Sequence, residues 1–522
     1  MDIGRVLVLG LGKSGKSLAR YCAGLIGSRV SSLFIAAGAR TDDSVAFVES
    51  LDCEGVAYAF GDDALERFAG GGQTFDICIA SPGIPYWHDL YVTGSAISGE
   101  LISEVEFAWR ESSPDSTWIA ITGTNGKTTT TSCCAHVLQE CGFAAAAVGN
   151  IGDVCLDAVQ AGQTQVYVTE VSSYQTYSTR YFAPDLAVML NITPDHIHWH
   201  KTFEAYRDAK FNLLDNMSKA ALAQKVDGSE GRLPLGWCPR FADDSASKRI
   251  LTRPIAVMDA TNDVVRTKVR QLKALDFEER GFDYVPMGTA EGIQGDMRAR
   301  CGADNAAFID LQRVMHVAFE GVEHVLLNVD ELKIKGAHNA SNALAAAAVA
   351  VVLGADDEAI SAALRSFAPL EHRIEPCGCV GGIECFNDSK ATNVDATLKA
   401  LEAFPGRRVI ALLGGDDKGT ELKDLVKSSF AHASAVVCFG TAGPRFEQAF
   451  HEAAALAPEG YVVLHRKHLA DALDAALSLA EAGDVVLLSP ACASFDEFSS
   501  FEERGRVFKQ LVAQRADAAV RD

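Results

Sequence analysis

Two strand, glycine-turn and helix segments constrain the fold more than any other feature of this sequence. The apolar run Arg5 to Leu9 leads into Gly10-Leu-Gly-Lys-Ser-Gly15-Lys16-Ser17, and the run Trp118 to Thr122 leads into Gly123-Thr-Asn-Gly126-Lys127-Thr128. Each turn opens a helical pattern, where backbone N–H groups at the helix start can hold a phosphate group. The sequence therefore predicts an α/β protein with two candidate anion-binding loops.

Further strand-like runs alternate with helical patterns and form three α/β units in series. They fall at Ser32 to Ile35, Asp76 to Ala80, Val166 to Thr169, Leu186 to Asn191, Val409 to Leu413, Ala435 to Phe439, Tyr461 to Leu464 and Val485 to Leu488. The chain has 522 residues, so several domains are expected. Between residues 217 and 321 the periodicity is poor, and this segment is either an insertion or a divergent edge of the central sheet.

Charge and composition exclude several classes of protein. The formal net charge is −22, which opposes binding of a nucleic-acid backbone. The most apolar stretch, Ala343 to Leu353, is shorter than the ~20 residues of a membrane span. The N-terminus shows no export signal, and the 14 cysteines lack zinc-site spacing. We expect a cytoplasmic protein with reduced thiols, no membrane span and no nucleic-acid partner.

The two loops differ in their chemical surroundings. The loop at Gly10 matches both the dinucleotide and the strict P-loop pattern, yet no acidic residue follows at the end of the next strand, as an NAD site requires. The loop at Gly123 fails the strict pattern at Ile121, but Lys127 suits phosphates, and Thr128 and Glu170 suit Mg²⁺. The second loop is therefore the better nucleoside triphosphate site, while the first binds another anion or is a tight turn without ligand.

The segment Asp195-His-Ile-His-Trp-His200 is the densest titratable cluster in the sequence. Alternating histidines could ligate a transition metal, so that a metal-dependent hydrolase is an alternative. The segment follows LNITP, just past a strand, close to where the metal of a bound nucleotide would lie.

Motifs along nearly the whole chain, except about 217 to 321, resemble those of the Mur ligases of peptidoglycan synthesis. In order they are ITGTNGKTTT, TEVSSYQ, LNITPDHIHWH, the Lys of YRDAK, GAHNASNA, EHR, NDSKATN, LLGGDDKG and SPACASFDEFSSFEERG. The last four are most similar to the branch of the family that adds D-glutamate. The alternatives are another Mur ligase, a folylpolyglutamate synthase, an NAD-dependent oxidoreductase and a nucleotide sensor without turnover.

The resemblance implies three domains and one reaction. The domains are an N-terminal Rossmann-like domain for the UDP-sugar (1–106), a central P-loop ATPase-type domain with a mostly parallel sheet (107–369) and a C-terminal Rossmann-like domain for the amino acid (370–522). The implied reaction is ATP-dependent addition of D-glutamate to UDP-N-acetylmuramoyl-L-alanine through an acyl phosphate, with two Mg²⁺ ions and a monomeric enzyme.

The resemblance also implies roles for individual residues. The catalytic residues are Lys127, Glu170, His196 and Lys210, of which Lys210 is expected to be carbamylated. The metal ligands are Thr128, Glu170, His196 and the modified Lys210. The ATP site comprises Gly123, Thr124, Asn125, Gly126, Lys127, Thr128, Thr129, Asn339, Asn342, Arg373, Asp388 and Lys390. The UDP-sugar site comprises Gly10, Gly12, Lys13, Ser14, Gly15, Ser81, Pro82, Gly83, Asn150 and His196. The D-glutamate site comprises Thr392, Lys418, Ser494 and Phe501. His198 and His200 receive no role, and the uracil and ribose contacts are unassigned.

Overall fold

Three β-sheets form the framework of the residues that the structure describes. The computed structural model describes residues 2–68, 70–217, 250–289, 305–417 and 419–519. The chain divides into two compact units, the first made of Met1–Val329 and Asn342–Leu364, the second of Asp330–Ser341 and Arg365–Asp522. The predicted α/β class with three mostly parallel sheets is confirmed.

The N-terminal sheet belongs to the first unit and is parallel throughout. Its strands are β1 (Gly4–Leu9), β2 (Val30–Ala37), β3 (Val56–Phe60), β4 (Phe75–Ala80) and β5 (Ser98–Ser103), in the order β3-β2-β1-β4-β5. Helices α1 (Lys13–Gly24), α2 (Asp42–Glu49) and α3 (Asp89–Ala96) connect them. Strand β1 is buried and central, as its continuous apolar run predicts. The strand order reverses between β1 and β4, and ligands of open α/β sheets bind at such a switch point.

The central sheet also belongs to the first unit and has nine strands. They are β6 (Thr117–Thr122), β7 (Ala145–Gly149), β8 (Val166–Glu170), β9 (Leu186–Met189), β10 (Ile255–Asp259), β11 (Asp283–Thr289), β12 (Ala306–Ile309), β13 (Val314–Phe319) and β14 (Val322–Asn328). The order is β14-β13-β12-β11-β10-β9-β6-β8-β7, and only the pairs β12–β13 and β13–β14 are antiparallel among the described strands. Helices α4 (Glu104–Glu111), α5 (Lys127–Glu140), α6 (Cys155–Ala161), α7 (Ser173–Tyr177), α8 (Ile197–His200), α9 (Phe203–Asp215), α10 (Asp263–Lys273) and α11 (Phe277–Arg280) accompany it.

The segment that the sequence left unassigned extends this central sheet. Strands β10 to β13 continue outward from β9, so that in the described residues the alternative of a divergent sheet edge holds. Residues 218–249 and 290–304 of the segment lie outside the described residues. Pro286 lies inside β11, opposite Met258 of β10. Because proline argues against a strand in a sequence, this position obscured the pattern.

The C-terminal sheet lies in the second unit and has six strands. They are β15 (Glu375–Val380), β16 (Ile383–Asn387), β17 (Val409–Gly414), β18 (Ala435–Phe439), β19 (Val462–Arg466) and β20 (Val485–Leu488), in the order β15-β16-β20-β17-β18-β19. Only β15 pairs antiparallel among the described strands. Helices α12 (Ala337–Val352) and α13 (Asp357–Ser366) precede the first strand of this sheet in the chain. The helices that follow β16 are α14 (Val394–Leu401), α15 (Lys423–His432), α16 (Gly443–Glu452), α17 (Leu469–Leu479) and α18 (Phe501–Ala519). Within the described ranges, every helix is too short or too polar to cross a bilayer.

Candidate active site

The loop at Gly123 is a tight turn between β6 and α5 that neighbouring side chains hold in place. Gly126 has a φ of +85°, and a Cβ there would lie 2.5 Å from Asn342 Oδ1. Asn191, which follows β9, brackets the turn: its Oδ1 accepts from the Asn125 backbone N–H at 2.9 Å, and its Nδ2 donates to the Asn125 carbonyl at 3.1 Å. The turn is therefore preorganised at the start of α5, where a helix N-terminus favours phosphate.

Two lysines converge on the carbonyl oxygen of Gly123. Lys127 Nζ donates to it at 3.0 Å and Lys210 Nζ at 2.7 Å. Lys210 is only 1% exposed. Burial, followed by the nearby Lys127 charge, holds the pKa of Lys210 well below its usual value, although two neighbouring carboxylates oppose the shift. Because a neutral amine is nucleophilic, Lys210 has the chemistry that carbamylation requires.

Glu170, the last residue of β8, has one paired and one unpaired carboxylate oxygen. Its Oε1 accepts from Asn150 Nδ2 at 2.8 Å. Its Oε2 is buried and has no hydrogen-bond partner among the described residues. An unsatisfied buried carboxylate oxygen is costly, and a divalent cation would satisfy it. This oxygen therefore fits the predicted metal site.

A metal ion at this site needs a set of several ligand atoms. Within residues 2–68, 70–217, 250–289, 305–417 and 419–519, no group of three or more His, Cys, Asp or Glu side chains could hold an ion. Mg²⁺ commonly takes one or two protein carboxylates together with phosphate oxygens and water, and such a site needs no ready-made cluster.

His196 lies between β9 and α9 in a strained backbone conformation, with a φ of +52°. Its Nδ1 is 2.8 Å from the hydroxyl of Tyr174, and its Nε2 is 3.5 Å from a carboxylate oxygen of Asp195. His200 is buried and its Nε2 is 3.0 Å from Ser173 Oγ. Burial, with nearby positive charges, lowers the pKa of His200 to about 4, so that it is neutral near pH 7. His196 is partly exposed and His200 is a packed residue.

The loop at Gly10 and the turn at Ser81 lie against each other at the switch point of the N-terminal sheet. A Cβ at Gly10 would lie 3.0 Å from Ser81 Cβ, and a Cβ at Gly15 would lie 2.0 Å from the Gly10 carbonyl oxygen. The Ser81 hydroxyl is buried and has no hydrogen-bond partner among the described residues. Lys16 Nζ contacts Asp43 at 2.5 Å. The crevice thus has close-packed backbone and an unused hydroxyl, as a phosphate site needs.

Other predicted UDP-sugar residues lie beside this crevice. Gly12 is the N-cap of α1, and Lys13 and Ser14 are in its first turn. Lys13 Nζ donates to the Gly152 carbonyl at 2.9 Å, which links the loop to the turn that carries Asn150. The structure therefore brings the first loop and the Asn150–Glu170 pair into one region of the first unit.

In the second unit, two predicted loops emerge at the same sheet edge. NDSKATN follows β16 and SPACAS follows β20, and these strands are parallel neighbours. Asp388 Oδ2 accepts from Ser489 Oγ at 2.8 Å, and burial raises the pKa of Asp388 to about 7. Lys390 Nζ lies 5.3 Å from the centre of the Phe501 ring. Ser494 is buried.

The remaining predicted residues divide between the units. Asn342 accepts from Thr130 Oγ1 at 3.1 Å in the first unit. Asn339, whose Nδ2 donates to the Lys335 carbonyl at 2.7 Å, belongs to the second unit, as do Arg373 and Thr392. Lys418 lies outside the described residues. Each unit therefore carries part of the predicted set.

Arg504 contacts two of the predicted site loops, although its sequence position gave no indication of this. It is fully buried, and its Nε donates to Ser389 Oγ at 2.9 Å while Nη2 donates to the Ser389 carbonyl at 2.8 Å. It also donates to the carbonyls of Ala493 at 2.9 Å and Cys492 at 3.1 Å. One guanidinium thus joins NDSKATN to SPACAS. A buried arginine has no sequence signal that separates it from a surface arginine.

Comparison with known proteins agrees with this fold and these motifs. The Mur ligase middle domain matches residues 121–228, and the Mur ligase, glutamate ligase domain matches residues 372–492. The MurF ligase of Thermotoga maritima, solved in complex with ADP, shares the fold with a TM-score of 0.53 at 14% identity, over 99% of this chain and 96% of its own.

Curated relatives match the chain from end to end. It is 32% identical over 505 residues to a ligase of Streptococcus mutans serotype c, covering 97% of this chain and 96% of the relative. It is 34% identical over 518 residues to one of Acidobacterium capsulatum, covering 99% and 97%. The chain therefore belongs to the Mur ligase family. Both relatives are named UDP-N-acetylmuramoylalanine–D-glutamate ligase, which confirms the prediction of an enzyme nearest to that member of the family.

Proposed function

We propose that this protein is an ATP-dependent amide ligase that adds D-glutamate to UDP-N-acetylmuramoyl-L-alanine in peptidoglycan precursor synthesis. The observation that carries the proposal is the likeness to ligases of that name over 97% and 99% of this chain. The products are the amide, ADP and phosphate. The three domains are proposed at 1–106, 107–369 and 370–522, and the enzyme acts as a monomer in the cytoplasm.

The reaction must first convert a poor acyl donor into a good one. The L-alanyl carboxylate attacks the γ-phosphorus of ATP, ADP leaves, and an acyl phosphate forms. Lys127 leaves the Gly123 carbonyl and holds the β- and γ-phosphates, while the loop N–H groups at residues 124–129 orient them. Glu170 and Asn150, which are hydrogen-bonded to each other at 2.8 Å, are proposed to lie beside the substrate carboxylate.

Mg²⁺ supplies charge screening between the carboxylate and the triphosphate when it is bound. Thr128, Glu170, His196 and carbamylated Lys210 would hold two ions. The buried Glu170 Oε2, which accepts no hydrogen bond from the described residues, supports this assignment because a carboxylate oxygen is a ligand that Mg²⁺ prefers. The lowered pKa of Lys210 supports it because carbamylation needs a neutral amine.

The second half of the reaction forms the amide. The amine of D-glutamate attacks the acyl carbon, and phosphate leaves. Thr392, Lys418, Ser494 and Phe501 are proposed to bind the amino acid, whose two carboxylates need cations and hydroxyls. Arg504 lies behind this edge and adds a positive charge, since the pKa of its guanidinium, although lowered by burial, is about 10. Asn339, Asn342, Arg373, Asp388 and Lys390 are proposed to contact the nucleotide.

Phosphate release tests the proposal directly. The purified protein is supplied with Mg-ATP and UDP-N-acetylmuramoyl-L-alanine, together with D-glutamate, L-glutamate, L-lysine, meso-diaminopimelate or no amino acid. We expect stimulation by D-glutamate alone, with the amide product detected by mass. Stimulation by a different amino acid would keep the ATP chemistry and overturn the amino-acid assignment. The matched control is Lys127→Ala, which should release no phosphate under any of these conditions.

A further inference from the structure

Five aromatic side chains of the first unit pack into one cluster around Trp199. We call Tyr86, Trp87, Tyr174, Tyr177 and Trp199 the aromatic cluster. Ring centres lie 5.1 Å apart for Tyr86 and Trp199, 5.7 Å for Trp87 and Trp199, 4.8 Å for Tyr174 and Trp199, and 5.1 Å for Tyr177 and Trp199. Tyr86 also stacks on Tyr177 at 4.9 Å. These contacts make a nearly continuous ring surface.

Part of this surface faces solvent. Trp199 is only 6% exposed, whereas Trp87 is 40% and Tyr177 is 41% exposed. Ile197 beside them is 37% exposed. Lys201 Nζ lies 3.9 Å from the centre of the Trp87 ring, so that one face of Trp87 has a charged neighbour. A contiguous apolar patch with a polar rim is typical of a ligand-binding surface.

The backbone around Trp199 is held in costly conformations. His196 has a φ of +52° and Lys201 a φ of +69°, so that left-handed residues bracket the segment. Non-glycine residues persist in this region only where the surrounding structure requires it, and such residues occur often at ligand sites. Trp199 lies between these two residues in the chain.

The aromatic cluster connects the two ends of the proposed substrate site. Tyr86 and Trp87 follow the Ser81-Pro82-Gly83 turn, which packs against the loop at Gly10. At the other end, the Tyr174 hydroxyl is 2.8 Å from His196 Nδ1. The proposed function places the diphosphate at the first end and the L-alanyl carboxylate at the second. In UDP-N-acetylmuramoyl-L-alanine, the amino-sugar ring joins these two groups.

We propose that the aromatic cluster binds the amino-sugar ring of the UDP-linked substrate, chiefly through Trp87 and Tyr177. A pyranose ring presents C–H groups on one face, and the electron-rich face of an aromatic ring attracts them. Two half-exposed rings above a buried third ring offer such a face at little entropic cost, because aromatic side chains have few rotamers. The inference rests on the proposed function and adds a sugar subsite to it.

Calorimetric titration of three ligands distinguishes the contribution of the sugar to binding from that of the nucleotide. UDP-N-acetylmuramoyl-L-alanine, UDP-N-acetylglucosamine and UDP are titrated into the wild type, Trp87→Ala, Tyr177→Ala and Trp87→Phe. We expect each alanine variant to weaken binding of both UDP-sugars about tenfold and of UDP less than about twofold, with Trp87→Phe keeping most of the affinity. The matched control is Tyr58→Ala, which removes an aromatic ring that is 39% exposed outside the cluster.

Thermal unfolding of each variant checks that it is folded, and Tyr177→Ala carries the test if Trp87→Ala is not folded. Quenching of tryptophan fluorescence by the UDP-sugar, absent with UDP and reduced in Trp87→Phe, is the second readout. Equal losses for UDP and UDP-sugars would mean that the aromatic cluster only supports the turn, and unchanged affinities would mean that it touches no sugar; either result overturns the inference. A wild type that binds neither UDP-sugar contradicts the proposed function itself.

Discussion

Removing Arg504 should destabilise the second unit strongly. The guanidinium is fully buried and donates to the Ser389 hydroxyl and to three backbone carbonyls of Ser389, Cys492 and Ala493. In Arg504→Ala these acceptors lose their donors inside the protein. Hydrogen bonds to charged groups contribute about 1.5–3 kcal/mol each to stability, so the loss of four such bonds costs at most about 6–12 kcal/mol. Entry of water and rotation of the Ser389 hydroxyl reduce this, and we expect a loss of about 4 kcal/mol.

The same helix supplies the control. Arg515, also in α18, forms an ion pair with Asp474 at 2.9 Å, and its side chain is 28% exposed while that of Asp474 is 54% exposed. Arg515→Ala should cost less than about 1 kcal/mol, because exposed ion pairs are screened by water. The comparison therefore holds the helix and the residue type constant while burial changes.

Urea unfolding monitored by circular dichroism measures the loss of unfolding free energy in Arg504→Ala and in Arg515→Ala. Initial rates measure the Michaelis constant for D-glutamate. Arg504→Lys keeps a charge but not the fork of donors, so we expect it to raise KM for D-glutamate at least about tenfold while KM for ATP changes less than about twofold. If Arg504→Ala and Arg515→Ala unfold at the same urea concentration, the guanidinium does not hold the two loops together and the reasoning is wrong.

Three further predictions concern individual charged groups. Lys127→Ala should abolish turnover, whereas Lys16→Ala, whose ammonium pairs with Asp43, should chiefly raise KM for the UDP-sugar in steady-state assays; equal loss of ATP affinity in both variants would contradict two separate loops. Lys210→Ala should lose turnover and recover part of it when formate or acetate is added, since a short carboxylate can replace carbamate oxygens; full activity without additive would exclude a metal-ligand role. Burial raises the pKa of Asp388 to about 7 from an ordinary 3.8, so between these pH values the folded protein binds a proton that the unfolded chain has lost. Its contribution to the free energy of unfolding must therefore fall as pH rises through this window, and Asp388→Asn should flatten that slope in urea unfolding at pH 5, 6, 7 and 8; parallel curves for both proteins would refute the shift.

The sequence predicted the strands that flank the two glycine loops because their signal is local. Residues 6–9 and 118–121 are continuous apolar runs, and the structure buries them fully in β1 and β6, each of which has a parallel strand on both sides. The antiparallel pair β15–β16 escaped the pattern, since its strands alternate buried and exposed residues irregularly and contain a bulge near Gly378. Short strands of this kind are defined by their partners more than by their own residues.

The residues of the candidate site also divide into those that the sequence could identify and those that it could not. Loop residues such as Gly126 could be named from the sequence, because a left-handed turn at a helix start requires glycine. The sequence could not identify the roles of Asn191 and of the aromatic cluster, because the residues that they contact lie far along the chain. Asn191, for example, brackets Asn125 across 66 positions.

Two residues show what each level of structure determined. The sequence by itself determined that a glycine turn at Gly123 opens a helix, because that conformation depends on neighbouring residues alone. Only the tertiary structure decided the protonation state of Lys210, whose Nζ lies 2.7 Å from the Gly123 carbonyl, 87 positions away. Its lowered pKa follows from burial and from the distance to Lys127, and both are properties of three-dimensional packing.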